Sequence, residues 1–191
     1  MLFKKTLGAR ANHYKWLQLG ILLMFFWAAP LNSAKLPTIR EYQIKAVYLY
    51  NFANFIRWPR KAFKSRRAPF QICILGDDPF RAQLDIAVEN EKIRGRAVKI
   101  QRIHYVEESG SCQMVFVSKS KQRYRAHIFA YLRQRSILTV SDMKNFVIKG
   151  GMIQFYNRGN KIRFIIAPQT VKGAGLKASS RLLQIAKIVR R

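Results

Sequence analysis

The sequence predicts an α/β fold built on a mostly parallel sheet. Three observations carry that expectation. Short β-branched, apolar runs alternate with segments of helical period. Some of those runs, "QMVFVS" (113–118) among them, are apolar almost without a break, as strands buried on both faces are. Towards the C-terminus two strand-like runs flank "NRGN", a hairpin that adds antiparallel strands at one edge of the sheet.

The elements follow in order. Residues 39–58 read as a helix, with Ile44, Tyr48, Phe52 and Phe55 on one face at steps of four, four and three. Leu49 and Ile56 widen that stripe, Gln43, Asn51 and Asn54 lie opposite, and Pro59 ends the helix. Residues 46–59 carry five aromatic residues, and the cations Arg60, Lys61, Lys64, Arg66 and Arg67 follow. Rings beside cations also suit a platform for single-stranded nucleic acid. The periodicity instead points most of the rings into a core. It leaves Tyr50 and Trp58 off the stripe, and these two with the basic loop are the candidate partner contacts.

"FQICIL" (70–75) is a strand, and Gly76 turns the chain after it. Asp77 or Asp78 then caps a helix that has Pro79 in its first turn and runs to about Asn90. Residues 96–103 alternate like a half-buried strand, and 113–118 form a central one. Residues 121–135 read as a basic helix with Tyr124, Ile128, Tyr131 and Leu132 inward, and "SILTVS" (136–141) as a buried strand. The hairpin pairs 152–156 with 161–166, with Gly159 free to take positive φ, and Pro168 ends it. A long final helix runs from about Leu176 to Val189, with Leu182, Leu183, Ala186 and Val189 inward.

The chain has 36 basic and nine acidic residues, a net charge of +27. A field of that sign attracts polyanions: nucleic acid, anionic headgroups, acidic glycans or an acidic protein face. The first 34 residues narrow the choice. Lys4, Lys5, Arg10 and Lys15 precede an apolar run at 17–29, too short for a comfortable membrane span, and "PLNSA" offers cleavage after Ala34. The reading is a signal peptide at 1–34 and an exported α/β domain at 35–191. The alternative is an uncleaved N-terminal anchor. Both place the folded part outside the cytoplasm, so nucleic acid is not an expected partner. Losing those four cations leaves 32 against nine acids, a net of +23 for the exported part. Residues 143–191 hold eleven basic residues and no acid. That excess is more than solubility requires and points to an anionic partner or surface.

The two cysteines, Cys73 and Cys112, lie in the exported part. In an oxidising compartment an even pair is most simply a disulfide; two buried thiols are the alternative. Catalytic signatures are weak. "LGDDPF" has one glycine where a dinucleotide fingerprint has three, and "GAG" (173–175) lacks the spacing of a phosphate loop. His104 and His127 are not in metal-ligand spacing with each other or with a cysteine. No nucleophile motif of the G-x-S-x-G or S-x-x-K kind occurs. We therefore expect no catalytic residue, no metal and no cofactor.

Several stretches resemble the YfiR family of exported proteins: "KAVYLYNFANFIRWP", "ICILGDDPF", "RGRAVKIQRI", "CQMVFVS", "ILTVSD" and "GGMIQFYNRGNKIRFIIAPQTVKGAGLKASSRLLQIAKIV". They stand in the family's order and cover nearly all of 39–189. The resemblance implies a single, Rossmann-like periplasmic domain that often forms a homodimer. It also implies a repressor that binds the periplasmic sensor part of a membrane diguanylate cyclase and restrains cyclic-di-GMP synthesis. Cys73 and Cys112 match the cysteines of two family motifs, whereas a second pair carried by some members has no counterpart here. The rival function is a periplasmic binding module for an anionic envelope component, such as lipopolysaccharide or peptidoglycan.

Overall fold

The computed structural model describes residues 39–190, so the signal peptide expected at 1–34 lies outside the described residues. The first helix, α1 (Ile39–Phe55), buries Tyr42, Lys45, Ala46, Leu49, Phe52 and Ala53. That face is rotated from the predicted stripe: Ile44 is exposed, and Tyr48 and Phe55 are half-buried. Two causes act together. Ala46 and Ala53 let the helix approach the sheet closely, and Lys45 turns inward to a buried carboxylate. An apolar count cannot foresee an inward lysine. The helix also stops at Phe55, short of the expected Trp58. Ile56–Arg57 (β1) pairs antiparallel with Lys177–Ala178 (β9), and Pro59 disfavours helical backbone at the residue before it.

The main sheet comprises β2 (Phe70–Leu75), β3 (Lys92–Ile93), β4 (Arg96–Ile103), β5 (Met114–Val117), β6 (Leu138–Ser141), β7 (Ile153–Arg158), β8 (Lys161–Ile166) and β10 (Lys187–Ile188). The eight strands run in the order β10-β8-β7-β6-β5-β2-β4-β3. β4, β2, β5, β6 and β7 are mutually parallel, so the fold is α/β with a mostly parallel sheet. β8 is antiparallel to β7, as the hairpin signal predicts, with Gly159 at φ +57° in the turn. A short hairpin of β3 and β4 at the far edge was not foreseen; Gly95, at φ +79°, makes its turn. The chain leaves β2 to form β4 on one side and returns to form β5 on the other. The order therefore reverses at β2.

The remaining helices are α2 (Ala82–Val88), α3 (Arg125–Leu132), α4 (Pro168–Gly173) and α5 (Ser180–Ile185). Three are corrections to the sequence reading. Asp78 accepts a hydrogen bond from Phe80 N–H (2.7 Å), capping a turn ahead of α2, so Pro79 lies outside the helix. A 3-10 turn (Lys119–Tyr124) replaces the first part of the expected basic helix and leaves Tyr124 exposed. The long final helix is absent: β9, α5 and β10 divide that segment. Gly175, at φ +73°, breaks the helical path, and Ser179 opens a new helix by accepting from Leu182 N–H (3.2 Å). Ile188 then extends to pair with β8. Leu182 is buried, with Leu183 and Ala186 packed against the core, so only part of the predicted stripe serves its role.

Alternation across the strands builds two cores. Ile72, Ile74, Met114, Phe116, Leu138 and Val140 face α1, where Phe52 packs on Phe155 and Phe164 with ring centroids 5.6 and 4.9 Å away. Cys73, Leu75, Val115 and Val117 face the opposite core, with Ile128 and Leu132 of α3. Among the described residues, no helix is long and apolar enough to cross a membrane.

Candidate functional site

The basic loop starts where α1 ends. Arg60–Ala62 form one 3-10 turn, and Arg60, Lys61, Lys64, Arg66 and Arg67 are all exposed. Five cations on a free coil would be a weak docking element, since ordering them on binding costs side-chain entropy. Two residues that the sequence reading did not single out fix the loop's backbone. Gln113, at the amino end of β5 and almost fully buried, donates from Nε2 to Ala62 O (2.6 Å) and Ser111 O (3.2 Å). Its Oε1 accepts from Gln71 N–H (2.8 Å), and its main-chain O accepts from Trp58 Nε1–H (3.0 Å). Arg96, at the start of β4, donates to Ser65 O and Ala68 O and lies over the Phe63 ring, 4.0 Å from its centroid.

Each predicted contact residue can now be placed. Trp58 roots the loop: its ring meets Phe70 edge-on at 4.9 Å and its N–H is used internally. Tyr50 is half-buried, and its hydroxyl donates to Glu91 (2.6 Å). That hydrogen bond, with burial behind it, raises the Tyr50 phenol above its ordinary value. The five loop cations project outward from these anchors. The sequence carried one clue to the hub: Gln113 is a polar residue opening an otherwise apolar run, and a buried amide must find partners. Arg96 gave none, because it sits among many other cations.

Cys73 and Cys112 are joined by a disulfide, with Cα atoms 5.9 Å apart across 39 positions. The bond anchors the residue just before Gln113 to β2, and so fixes the chain that carries the hub. At the carboxyl ends of the strands lies a second polar cluster. Lys45 Nζ meets Asp142 Oδ2 and Glu41 Oε1, each at 2.6 Å, and Tyr42 donates to Asp142 (2.9 Å). Of the two capping candidates, Asp78 has its carboxylate committed to the fold, held by Arg102 at 2.9 Å, while Asp77 contributes its main-chain N–H to Ser120 Oγ. Among the described residues no cluster of His, Cys, Asp or Glu could hold a metal.

Several acids are thus spent internally. Glu41, Asp78, Asp85 and Asp142 sit in ion pairs with Lys or Arg, and Glu107 meets His127 Nε2 at 3.0 Å. Among the described residues only Lys45, Arg102 and Lys119 of the Lys and Arg side chains pair with a carboxylate. The other cations face solvent or neutral groups, which leaves a strongly positive surface available to an anionic partner.

No curated protein matches the chain. A family model described as YfiR/HmsC-like matches residues 42–187, which span α1 to β10 and include the loop, its Gln113 hub and both cysteines. The chain belongs to the YfiR/HmsC-like family.

Proposed function

We propose that the protein is a non-enzymatic periplasmic regulator. In this reading it binds the periplasmic sensor part of a membrane signalling protein, a diguanylate cyclase, and represses it. The observation that carries the reading is family membership over 42–187. The face that suits the task is the loop bearing Arg60, Lys61, Lys64, Arg66 and Arg67, with Trp58 beneath it. A pre-ordered loop loses less entropy on docking, and exposed charge speeds encounter with an acidic partner. Tyr50 borders the same helix and is a further contact in this reading.

Co-expression tests the function. A membrane diguanylate cyclase with a periplasmic sensor domain, taken from the same genome, is produced with and without this protein, and cellular cyclic-di-GMP is measured. The reading predicts a fall when the protein is present, and a smaller fall when the loop cations are replaced by Glu. Unchanged cyclic-di-GMP contradicts it. The charge excess favours one rival, a binding module for lipopolysaccharide or peptidoglycan. Salt-sensitive binding to either polymer, without any effect on the cyclase, supports that rival.

A further inference from the structure

A cavity of about 470 Å³ opens beside the amino end of β7, between α3, β6 and α4. Its volume lies within the range of small-molecule sites. One side of its mixed wall is apolar, with Phe129, Leu132, Met152 and Ala174. Arg133 and Lys149 stand at its edge, both exposed and neither paired with a carboxylate among the described residues. None of the residues lining the cavity is acidic. Thr139 also lines it; its hydroxyl accepts from Met152 N–H (3.1 Å) and keeps its own proton to donate.

The wall is built rather than loose. Phe129 meets Phe146 edge-on at 5.1 Å. Its other side lies against Gly150, where φ is +121° and an added Cβ would approach the ring to 3.2 Å. Glycine at this position therefore lets the ring occupy the wall. An apolar wall, a hydroxyl donor and two cations with no competing acid define the ligand by its chemistry.

We propose that this cavity binds a small organic acid, with its apolar body against Phe129 and its carboxylate held by Arg133 and Lys149. The site uses none of the loop residues at 60–67, so it stands whether or not the regulatory reading does.

Calorimetric titration of residues 35–191 tests it with three probes: phenylacetate, acetate and phenethylammonium. Phenylacetate saturates a single site, acetate binds about tenfold more weakly or less, and phenethylammonium does not bind. The double variant Arg133→Gln/Lys149→Gln weakens phenylacetate about tenfold with an unchanged thermal melt. Gly173→Phe provides a second, steric test. A Cβ added there meets nothing within 4 Å, and Gly173 lines the cavity, so a ring at this position is expected to occupy the space and abolish binding. Three results overturn the proposal: no saturation by about 10 mM phenylacetate, equal binding of the amine, or affinity unchanged in both variants. Many weak sites lost together on adding salt also overturn it, because they report the general charge of the surface.

Discussion

Lys45 Nζ lies 2.6 Å from Asp142 Oδ2, across 97 positions of sequence, and both side chains are almost fully buried. The pair ties α1 to the carboxyl end of β6. Burial alone pushes the Asp142 carboxyl up, but the Lys45 charge and hydrogen bond, with Lys119 and Tyr42 behind them, hold it below its ordinary value. Burial, and then Asp142 itself, push the Tyr42 phenol far above its usual range. Removing one charge strands the other, so Lys45→Ala costs about 3–5 kcal/mol, whereas Lys45→Met with Asp142→Leu recovers most of the loss. Chemical denaturation of the two variants checks this; equal loss in both contradicts it.

The same carboxylate sets an acid limb. Its folded pKa lies below the unfolded value of about 3.9, so its contribution is complete above that pH and is lost as pH falls further. Thermal melts from pH 7 downward therefore converge for the wild type and Asp142→Asn only at strongly acid pH. A constant gap between them down to the most acid point contradicts the linkage.

Gln113→Ala removes the loop's anchor. It leaves the Ala62 carbonyl and the Gln71 N–H short of partners, at a cost of about 1–3 kcal/mol. Trypsin then cuts within 60–67 faster than in the wild type, while the rate elsewhere is unchanged. In residues 35–191 Trp58 is the single tryptophan, so its fluorescence shifts to the red as its contacts loosen. An unchanged cutting pattern and spectrum contradict the role given to Gln113.

The disulfide closes a loop across 39 positions, and the chain-entropy relation gives it about 3–4 kcal/mol. Free-thiol titration of the denatured, unreduced protein finds none, and Cys73→Ala/Cys112→Ala lowers the melting temperature. Two free thiols in protein purified without reductant contradict the bond.

The sheet was legible because its signals are local. β2, β4, β5, β6, β7 and β8 fall within or beside the runs that composition marked, and Gly159 marks the hairpin turn. What failed depended on partners distant in sequence. The face of α1 was set by Asp142, which no apolar period reports. The final helix failed because two short strand pairings and the Ser179 cap outcompete a weak helical period. At the candidate site the cations were plain in the sequence. Their support was not, since Gln113 and Arg96 act through contacts 51 and 31 positions away.

The central claim is that an ordered basic loop docks an acidic sensor domain. Stopped-flow binding of residues 35–191 to the purified periplasmic sensor domain of a membrane diguanylate cyclase from the same genome tests it most directly, at low and high salt. The account predicts one saturable complex whose association slows with salt, because exposed charges are screened over about 8 Å at physiological ionic strength. Replacing Arg60, Arg66 and Arg67 by Glu weakens it by about tenfold or more with the fold intact. No saturable complex at either salt, or a complex indifferent to those three charges, would contradict the account.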